Sequence, residues 1–489
     1  MEPNKLTHFQ IAIIGSGFGG LGTAIQLKKA GIDDFVVFER GADVGGTWRD
    51  NTYPGCACDV QSHLYSFSFA PNPNWSRMYS PQPEIFAYLR RCATDYGVRP
   101  QIRFGHEVES VVWDEAGQQW QLKTSQGAYT AKMLVAGVGA LCEPAIPKLP
   151  GIETFKGKTF HSARWNHDYD LKGRKVAVIG TGASAIQFVP EIQPKVEKMY
   201  LFQRTPPWVI PRDNREITNL ERWIFRHLPI VQQFVRMYIY LMREIYVLYF
   251  RNPRIMWLNH RIATRHLEKS IPDPKLRAQI TPNYMVGCKR ILISNDYFPA
   301  LRQPNVEIVR ESIREVRPNS IVTKDGVDHP IDAIIYGTGF HVADMPFANI
   351  IRGRDGRTLA ETWQGSPKAY LGTTVVGFPN FFQLMGPNTG LGHSSIVFML
   401  ESQIAHILST IYYMRKHNIA TIEPRPESQA QFIDEMQKQM VGTVWTAGRC
   451  ASWYLDSTGR NSILWPSFTW QFRQRLKSFQ PGEYLLTAR

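Results

Sequence analysis

Short apolar runs that end abruptly at glycine recur along this chain. One run, Ile11–Ile14, passes straight into Gly15, and another, Val176–Ile179, passes straight into Gly180. A helical stretch follows each run, and Phe35–Glu39 supplies another strand-like run after the first helix. Short apolar runs that alternate with helical stretches are typical of parallel strands covered on both faces. The pattern therefore predicts an α/β fold with parallel sheets, built around two strand–turn–helix units.

Further strands are predicted downstream of both units. Val108–Trp113 and Trp120–Thr124 flank the turn dipeptide Ala116-Gly117, which predicts a hairpin. Much later in the chain, Val306–Val309 and Ile331–Tyr336 are strand-like. The chain is therefore expected to return to its sheets after a long excursion.

The glycines that follow the two apolar runs have the spacing of phosphate-binding turns. The first turn contains Gly15, Gly17, Phe18 and Gly20, and the second contains Gly180, Thr181, Gly182, Ser184 and Ala185. Such a turn brings unpaired backbone N–H groups and the positive end of a helix dipole to a pyrophosphate. A single match of this kind is weak, but two matches in the same strand–helix context predict two dinucleotide sites.

The charge that follows each turn separates the two sites. Glu39 stands nineteen residues after Gly20, and Arg204 stands nineteen residues after Ala185. A carboxylate at the end of the next strand accepts from a ribose 2′-hydroxyl, whereas an arginine there pairs with a 2′-phosphate. The first site therefore suits FAD or NAD, and the second suits NADP. A chain with both sites is most simply a flavoprotein that takes hydride from NADPH.

Proline-rich segments suggest the domain boundaries. Prolines cluster at 144–150 and again at 206–211. We expect an FAD-binding domain at 1–140 and 342–489, with an NADP-binding domain inserted into it at 150–211 and 283–341. The inserted domain in turn carries a helical subdomain at 212–282. The predicted fold class is thus α/β with two Rossmann-like dinucleotide-binding domains.

Composition narrows the classes of protein that remain. The chain has 489 residues, with 43% apolar and 12% aromatic residues, which predicts two or three well-packed units. Its formal net charge is +14, but the lysines and arginines are dispersed and no nucleic-acid-binding motif is present. We therefore expect anionic ligands and no nucleic-acid partner.

The cysteine pattern resembles neither a disulfide framework nor a metal site. The six cysteines stand at 56, 58, 92, 142, 288 and 450. A chain of this size needs no disulfide framework, and no second Cys or His pair completes a metal site around Cys56 and Cys58. We expect six free thiols, no bound metal and a cytoplasmic protein. The first apolar run ends at once in glycines, so it is expected to be a strand and not a signal-peptide core.

The helical subdomain contains an unusually aromatic and aliphatic stretch. Trp223–Leu258 is rich in Phe, Tyr, Ile, Leu and Met, but six arginine and glutamate positions interrupt it. No apolar run reaches the roughly 18 residues of a membrane span. A packed helical subdomain is favoured, and peripheral membrane contact or a dimer surface is the less favoured alternative. The oligomeric state stays open.

Between the two turns lies a motif that resembles a known family fingerprint. Phe155, Gly157, His161 and Trp165 match the F-x-G-x-x-x-H-x-x-x-W fingerprint of type I Baeyer–Villiger monooxygenases, which are class B flavoprotein monooxygenases. The family pattern usually continues with Pro or Asp, where this chain has Asn166. Related N- and S-monooxygenases carry Tyr or Phe in place of Trp165, so this residue favours the Baeyer–Villiger side.

Two further stretches resemble the same family. Gly45-Gly46-Thr47-Trp48, with Tyr53-Pro54-Gly55 and then Asp59, follows a longer family motif throughout. Cys288-Lys289-Arg290 and Asp332–Phe340 match later family segments in the family's order. The resemblance implies that Asp59 is the active-site aspartate, that Arg290 sits over the flavin, and that Lys289 joins Arg204 at the 2′-phosphate.

The resemblance also implies the activity. It predicts an NADPH- and O₂-dependent flavin monooxygenase that converts a small-molecule ketone to an ester or lactone through a C4a-peroxyflavin, with sulfide oxidation as a side activity. Arg290 would hold the peroxide as an anion, and Asp59 would orient Arg290. A flavin-containing N- or S-monooxygenase is the nearest alternative. A non-enzymatic NADP-sensing flavoprotein is an alternative of another class.

The remaining site predictions concern cofactor contacts and packing. Beyond the two glycine turns and the residues Glu39, Arg204 and Lys289, the predicted cofactor-binding residues are Arg40, Gly46, Thr47, Trp48, Tyr53, Asp59, Val108, Gln187, Thr205 and Asn388. His161 is expected to couple the linker to NADP and not to act as a base. Trp453, Tyr454 and Trp465 are expected to fill the C-terminal core, with a pocket lining as the alternative.

Overall fold

The computed structural model describes residues 6–448, 450, 452 and 454–489. Its strands, in chain order, are β1 Thr7–Ile14, β2 Phe35–Glu39, β3 Ile102–Phe104, β4 Val108–Asp114, β5 Gln119–Thr124, β6 Gly127–Ala136, β7 Lys158–His161, β8 Lys175–Ile179, β9 Lys198–Phe202, β10 Val209–Ile210, β11 Leu292–Ile293, β12 Val306–Val309, β13 Ile313–Arg317, β14 Ser320–Thr323, β15 Asp328–Pro330, β16 Ala333–Tyr336, β17 Ile351–Arg352, β18 Phe381–Gln383, β19 Ile419–Pro424 and β20 Tyr484–Ala488.

The α-helices lie mainly between these strands, and four of them follow one another between β10 and β11. In chain order they are α1 Phe18–Lys29, α2 Thr47–Asp50, α3 Gln82–Asp95, α4 Ala185–Ile192, α5 Asn219–His227, α6 Pro229–Arg251, α7 Trp257–Ser270, α8 Pro274–Ile280, α9 Tyr297–Leu301, α10 Leu359–Trp363, α11 Ile396–Lys416, α12 Pro426–Met440, α13 Val444–Ala447 and α14 Thr469–Leu476.

The first sheet joins strands from both ends of the chain. Its order is β17-β4-β5-β6-β1-β2-β3, and β18 also pairs with β6. β1 lies parallel to β2 and β6, whereas β4, β5 and β6 pair antiparallel. The predicted hairpin is therefore confirmed as β4–β5. Because β17 and β18 come from beyond residue 342, the late part of the chain completes the sheet that β1 begins.

The second sheet is entirely parallel and is built from the middle of the chain. Its order is β12-β9-β8-β16-β7, and every neighbouring pair in it is parallel. β8 leads through the second glycine turn into α4, as β1 leads through the first turn into α1. The α/β fold with two Rossmann-like units is thus confirmed.

Packing of α1 and α11 against the first sheet buries most of both helices. Nine of the twelve residues of α1 are buried, and the inward side of α11 contributes Val397, Met399, Leu400 and Ile404 to the same core. The helix dipole of α1 therefore points its positive end at the first glycine turn from a rigid support. Within the part of the chain that the structure describes, no helix combines the length and apolarity needed to cross a bilayer.

One expectation about the cysteines is wrong. Cys288 and Cys450 form a disulfide across 162 residues of sequence, whereas Cys56, Cys58, Cys92 and Cys142 are free thiols. Gly448, which directly follows α13, lies against Cys288, since a Cβ placed on it would be 2.6 Å from the Cys288 sulfur. This proximity arises from the tertiary fold, and cysteine spacing alone carries no sign of it.

Candidate active site

An ion pair between Asp59 and Arg290 joins the two units. Asp59 lies in the loop between α2 and α3, and Arg290 lies between α8 and β11. Nε and Nη2 of Arg290 donate to the same oxygen, Oδ2 of Asp59, at 2.8 and 2.6 Å. Nη1 of Arg290 donates to the carbonyl of Leu391 at 3.3 Å. Three distant parts of the sequence therefore meet at one guanidinium group.

The surroundings of this pair keep both groups charged. The Asp59 carboxylate raises the pKa of Arg290 further above its usual range, although burial opposes this shift. Burial by itself would raise the pKa of Asp59, but the charge and hydrogen bonds of Arg290 together with the charge of Arg243 outweigh it, and the pKa is lowered. About 30% of each side chain is exposed, so the pair lies at an accessible edge and not in a closed core.

Tyr454 and Cys58 form part of the wall around the pair. Tyr454 is buried and lies beside Arg290, and burial raises the pKa of its hydroxyl to about 12. Cys58 is also buried, which raises the pKa of its thiol. Both groups therefore stay protonated at neutral pH. Trp465 is buried in the C-terminal core as expected, whereas Trp453 lies outside the described residues.

Two arginines that the sequence analysis did not single out as site residues add positive charge here. Arg212 donates to the carbonyl of Cys58 at 3.2 Å. Arg243, on α6, donates to Oε1 of Gln61 at 2.8 Å, and its charge helps to lower the pKa of Asp59. The only sequence signal for Arg243 was its position seven residues after Arg236 in a stretch that is mostly apolar. Such a residue faces either water or a polar site, and the periodicity does not distinguish these.

The first glycine turn closes too tightly for any side chain at Gly20. A Cβ there would lie 1.8 Å from the carbonyl oxygen of Gly15, and Gly15 itself has a φ of +90°. Gly17 faces Gly46, since a Cβ on Gly46 would lie 3.1 Å from the Gly17 Cα. Phe18 begins α1 and packs edge-on against Tyr65 at 5.2 Å. The turn thus presents backbone and not side chains to a ligand, as a pyrophosphate requires.

Glu39 is held in its charged form at the end of β2. The N–H and hydroxyl of Ser16 donate to its Oε2 at 2.9 and 2.7 Å, and Gly41 N–H donates to its Oε1 at 2.7 Å. Burial would raise the pKa of Glu39, but Arg49 and these hydrogen bonds lower it. Arg49, at 2.7 Å, is a further residue that the sequence analysis missed. The site therefore offers an ionised carboxylate beside the glycine turn, which fits a ribose and opposes a 2′-phosphate.

The other residues predicted near the first turn are spread around it. Thr47 begins α2, and the indole of Trp48 donates to the Tyr65 hydroxyl at 3.1 Å. Arg40 forms an ion pair with Glu143. Val108 begins β4. Two residues earlier, the backbone N–H of His106 donates to the Glu39 carbonyl at 2.9 Å.

The second glycine turn mirrors the first. A Cβ on Gly180 would lie 2.4 Å from the Gly337 carbonyl oxygen, whereas one on Gly182 would meet no atom within 4 Å. Ser184 is the N-cap residue of α4, which begins at Ala185, and the Thr181 hydroxyl donates to the Thr205 carbonyl at 3.4 Å. The open space at Gly182 and the helix N-terminus beside it fit a second pyrophosphate.

Arg204 and Lys289 place two cations close together beyond this turn. Burial lowers the pKa of Lys289, and the nearby charge of Arg204 lowers it further. Neither side chain forms an ion pair with another residue among those that the structure describes. Two neighbouring cations without a carboxylate between them are a fit for a phosphate dianion.

Two residues predicted to bind a cofactor form hydrogen bonds with protein groups. Oε1 of Gln187 accepts from the Tyr53 hydroxyl at 3.0 Å, and its Nε2 donates to the Ala57 carbonyl at 3.0 Å. The amide nitrogen of Asn388 donates to the carbonyls of Asn461 and Leu464, both at 3.0 Å. In this structure Gln187 ties α4 to the loop that precedes Asp59, and Asn388 anchors the C-terminal segment.

Of the fingerprint residues, Trp165 lies where the two units meet. Trp165 packs against Phe188 of α4 at 5.4 Å, and Phe188 in turn packs against Tyr53 of the first unit. A cavity of about 300 Å³ is lined by Trp165 together with Arg40, Gly41, Arg49, Asp50, Thr52, Ala163 and Arg164. Gly157 admits no side chain, because a Cβ would lie 2.2 Å from the Asp332 carbonyl oxygen and against the ring of Phe155.

His161 is a neutral, buried histidine. Its Nδ1 accepts from the Ala163 N–H at 3.1 Å, so the ring proton is assigned to Nε2. Burial lowers its pKa to about 4. Nε2 is buried and has no hydrogen-bond partner among the described residues. The ring is therefore a fixed donor at the edge of the second sheet and not a proton-transfer group.

Comparison with known proteins agrees with this geometry. A model of the flavin-binding monooxygenase-like family matches residues 8–352. A protein of Streptomyces coelicolor named Baeyer-Villiger monooxygenase is 50% identical over 482 residues, which cover 98% of this chain and 92% of that relative.

Solved structures match over nearly the whole chain. Cyclohexanone monooxygenase from Rhodococcus sp. Phi1, bound to NADP+, has a TM-score of 0.88 and 28% identity and covers 99% of this chain and 100% of that chain. A complex of OTEMO with FAD and NADP has a TM-score of 0.90 and 27% identity, with the same coverage. Taken with the two glycine turns and the Asp59–Arg290 pair, these matches establish that the chain belongs to the flavin-binding monooxygenase-like family, within its Baeyer–Villiger monooxygenases.

Proposed function

We propose that this chain is an FAD- and NADPH-dependent Baeyer–Villiger monooxygenase that uses O₂ to convert a small-molecule ketone to an ester or lactone. The observation that carries the proposal is the Asp59–Arg290 pair, which lies between the two dinucleotide-type units and keeps a permanent cation at an accessible edge. The Baeyer–Villiger monooxygenase of Streptomyces coelicolor, at 50% identity, supports it. Sulfide oxidation is proposed as a side activity of the same site.

The residues present fit both cofactors. Gly15, Gly17, Gly20 and Glu39 would hold FAD, and Gly180, Gly182, Arg204 and Lys289 would hold NADPH. When bound, these cofactors supply the redox chemistry, in which NADPH reduces the flavin and the reduced flavin delivers one oxygen atom of O₂.

Arg290 is proposed to stabilise negative charge on the reacting oxygen. A guanidinium cannot lose its proton at working pH, and here its pKa is raised still further by Asp59. Asp59 and Leu391 take three of its five N–H groups, which fixes the plane of the guanidinium. The removal of one such donor from an oxyanion site costs about 3–4 kcal/mol of transition-state stabilisation.

Asp59 is proposed as a positioning residue. Both of its contacts to Arg290 use the single oxygen Oδ2. Asp59 therefore binds the Nε and Nη2 edge of the guanidinium, while Nη1 donates to the Leu391 carbonyl. It also balances part of the charge of Arg290, which lowers the cost of keeping that cation in a partly desolvated site.

The domain boundaries and the compartment are part of the proposal. The assignment of 1–140 and 342–489 to the FAD domain and of 150–211 and 283–341 to the NADP domain is supported by the two sheets. The four helices α5 to α8 support a helical insert at 212–282. We place the enzyme in the cytoplasm, where the NADPH that its second site suits is available.

The test follows oxygen transfer and cofactor choice together. Purified protein is assayed for oxidation of NADPH and of NADH with phenylacetone, cyclohexanone or thioanisole, and the products are identified. A yellow protein that prefers NADPH, forms ester or lactone and loses this activity in Arg290→Ala is expected. Arg317→Ala is the matched control, because Arg317 forms an exposed ion pair with Glu315 on a remote hairpin.

Two outcomes would contradict the proposal. If sulfoxide or amine oxide is the product and Arg290→Ala keeps this activity, the chain is an N- or S-monooxygenase. If the protein is colourless and oxidises no NADPH, it is not an enzyme of this class.

A further inference from the structure

Helix α6 differs from an ordinary surface helix, because it is apolar on both its inward and its outward side. Its inward face buries the apolar residues Ile239, Val247 and Phe250 together with polar and charged side chains that are bonded to the protein. Gln232 donates to the Asn72 carbonyl at 2.7 Å, and Arg236 donates to the His63 carbonyl at 2.7 Å. Glu244 accepts from the N–H and the hydroxyl of Thr469 at 2.7 and 2.8 Å. An ordinary surface helix confines its apolar residues to this inward side.

The outward face of α6 is apolar as well. Eight large apolar side chains, spaced three or four residues apart, are between 44% and 68% exposed; they are Ile230, Phe234, Met237, Tyr238, Leu241, Met242, Ile245 and Leu248. Between the first and last of them, about 27 Å of helix, the exposed face carries no charged residue. We call these eight side chains the outer stripe.

Neighbouring helices extend the outer stripe at both of its ends. Leu220 and Trp223 of α5 are exposed at one end, and Trp257, Leu258 and Ile262 of α7 are exposed at the other. Thirteen large apolar side chains exposed on three consecutive helices are more than a monomeric protein in water normally leaves uncovered on one part of its surface. Something other than water is therefore expected to cover it.

The rim of this surface is strongly basic. Between residues 219 and 265 the chain has eight arginines and two glutamates. Five of the arginines are exposed, at 226, 251, 254, 261 and 265. None of these five forms an ion pair with any residue in the described part of the chain. Their charge is thus available to an external anionic partner.

We propose that the outer faces of α5, α6 and α7 dock on an anionic lipid bilayer. An interfacial helix buries its apolar face roughly 5–10 Å into the headgroup region, with arginines at the phosphate level and tryptophans at the boundary. The outer stripe, the arginine rim and the two terminal tryptophans, Trp223 and Trp257, supply these three elements.

Charge argues against a second copy of the chain as the occupant. A symmetric contact through the outer stripe would bring two basic rims together. The acidic residue nearest the rim on α5, Glu221, is already engaged by Arg215 at 2.7 Å and by Thr218. Like charges without acidic partners oppose such a contact, whereas the phosphates of a bilayer favour the docked state.

Vesicle sedimentation with the FAD-loaded protein tests the proposal. Sucrose-loaded vesicles of phosphatidylcholine alone are compared with vesicles that also contain phosphatidylglycerol. The protein is expected to sediment with the anionic vesicles and to be released as the salt concentration rises, because surface charges are then screened. Absence of sedimentation with the anionic vesicles at low salt would overturn the proposal.

Two sets of variants separate the apolar and the ionic contributions. The triple variant Phe234→Gln, Leu241→Gln, Ile245→Gln is expected to bind anionic vesicles at least tenfold more weakly. Arg254→Gln, Arg261→Gln and Arg265→Gln are expected to weaken binding about fivefold per arginine. The matched control is Val327→Gln, Tyr412→Gln, Val441→Gln, since these apolar residues are equally exposed elsewhere. It should bind as the parent does.

Independent readouts keep the outcome clear. Flavin absorbance and NADPH oxidation with a water-soluble ketone should be unchanged in every variant, because none of the substituted residues contacts Asp59 or Arg290. Light scattering after size-exclusion chromatography measures the mass in solution. A dimer that the apolar triple variant splits, together with equal vesicle binding by this variant and by the parent, would assign the surface to a second copy and overturn the proposal.

Discussion

At the scale of single residues, charge and geometry can be separated at Arg290. Lysine at this position keeps the positive charge but cannot donate twice to one carboxylate oxygen in the plane of a guanidinium. We expect Arg290→Lys to lower the rate of ester formation about 100-fold or more. The rate is measured by product analysis, and NADPH oxidation is followed in parallel. Near-parental ester formation by this variant would show that charge alone is sufficient.

The two cations of the second site make a separate prediction about cofactor choice. Burial lowers the pKa of Lys289 and the charge of Arg204 lowers it further, so the two cations interact across the second site. The double variant Arg204→Ala, Lys289→Ala is expected to raise KM for NADPH at least tenfold and to leave KM for NADH nearly unchanged. Steady-state kinetics with both nucleotides measures this. An equal rise in both KM values would place the cations elsewhere on the nucleotide.

Residue identity could be predicted where local spacing determines the chemistry. Glu39 follows from its distance to the glycine turn, and Arg290 follows from a motif. Arg49 and Arg243 could not be predicted, because their role depends on which side chain the fold brings opposite them. The hydrogen bonds of the Gln187 and Asn388 amides to protein carbonyls could not be predicted either, because sequence spacing does not reveal these partners.

At the scale of elements, the disulfide links the segment after α13 to the segment that carries Arg290. Cys288 is two residues before Arg290, and Cys450 is four residues before Tyr454, which lies beside the same guanidinium. Cys450→Ser is expected to destabilise the protein by about 2–4 kcal/mol and to lower kcat/KM for the ketone. Thermal unfolding and steady-state kinetics measure the two effects. Cys142→Ser, at a free and partly buried thiol, is the control.

An unfolding temperature and a kcat/KM of Cys450→Ser equal to those of the parent would contradict this prediction. In that case the segment after α13 would be held by its packing alone. Treatment of the parent with a thiol-free reductant should reproduce the effects of the variant.

Strands were easier to predict than their covering helices. The β4–β5 hairpin and β12 follow from apolar alternation and from turn residues, which are local signals. The orientation of α6 does not follow from local signals, because helical periodicity defines two faces but does not determine which one faces inward. The orientation is set in the tertiary structure, where Glu244 and Arg236 bond to Thr469 and His63 on the side that also buries apolar residues.

At the scale of the whole molecule, buried neutral histidines predict acid sensitivity. Burial lowers the pKa of His63, His161 and His406 from 6.5 to about 4 in each case. Between these pH values the unfolded chain binds a proton at each position and the folded chain does not, so stability falls as pH falls. His406 is fully buried, and its share is on the order of 3 kcal/mol by about pH 4.

His406→Gln isolates this contribution. The thermal unfolding midpoint of the parent is expected to fall between about pH 6.5 and about pH 4, and the variant is expected to fall less steeply over the same range. The side chain of His406 bonds to the Tyr484 hydroxyl at 3.1 Å, and neither residue bonds to Asp59 or Arg290. Equal slopes for parent and variant would show that His406 is protonated in the folded state.

The central claim is that this molecule transfers one oxygen atom from O₂ to a ketone. It is tested most directly by turnover of cyclohexanone with NADPH under ¹⁸O₂, followed by mass spectrometry of the product. We predict a lactone that carries one ¹⁸O atom, formed by the parent and by Arg317→Ala but not by Arg290→Ala. A product without the label, or labelled lactone formed equally well by Arg290→Ala, would contradict the account.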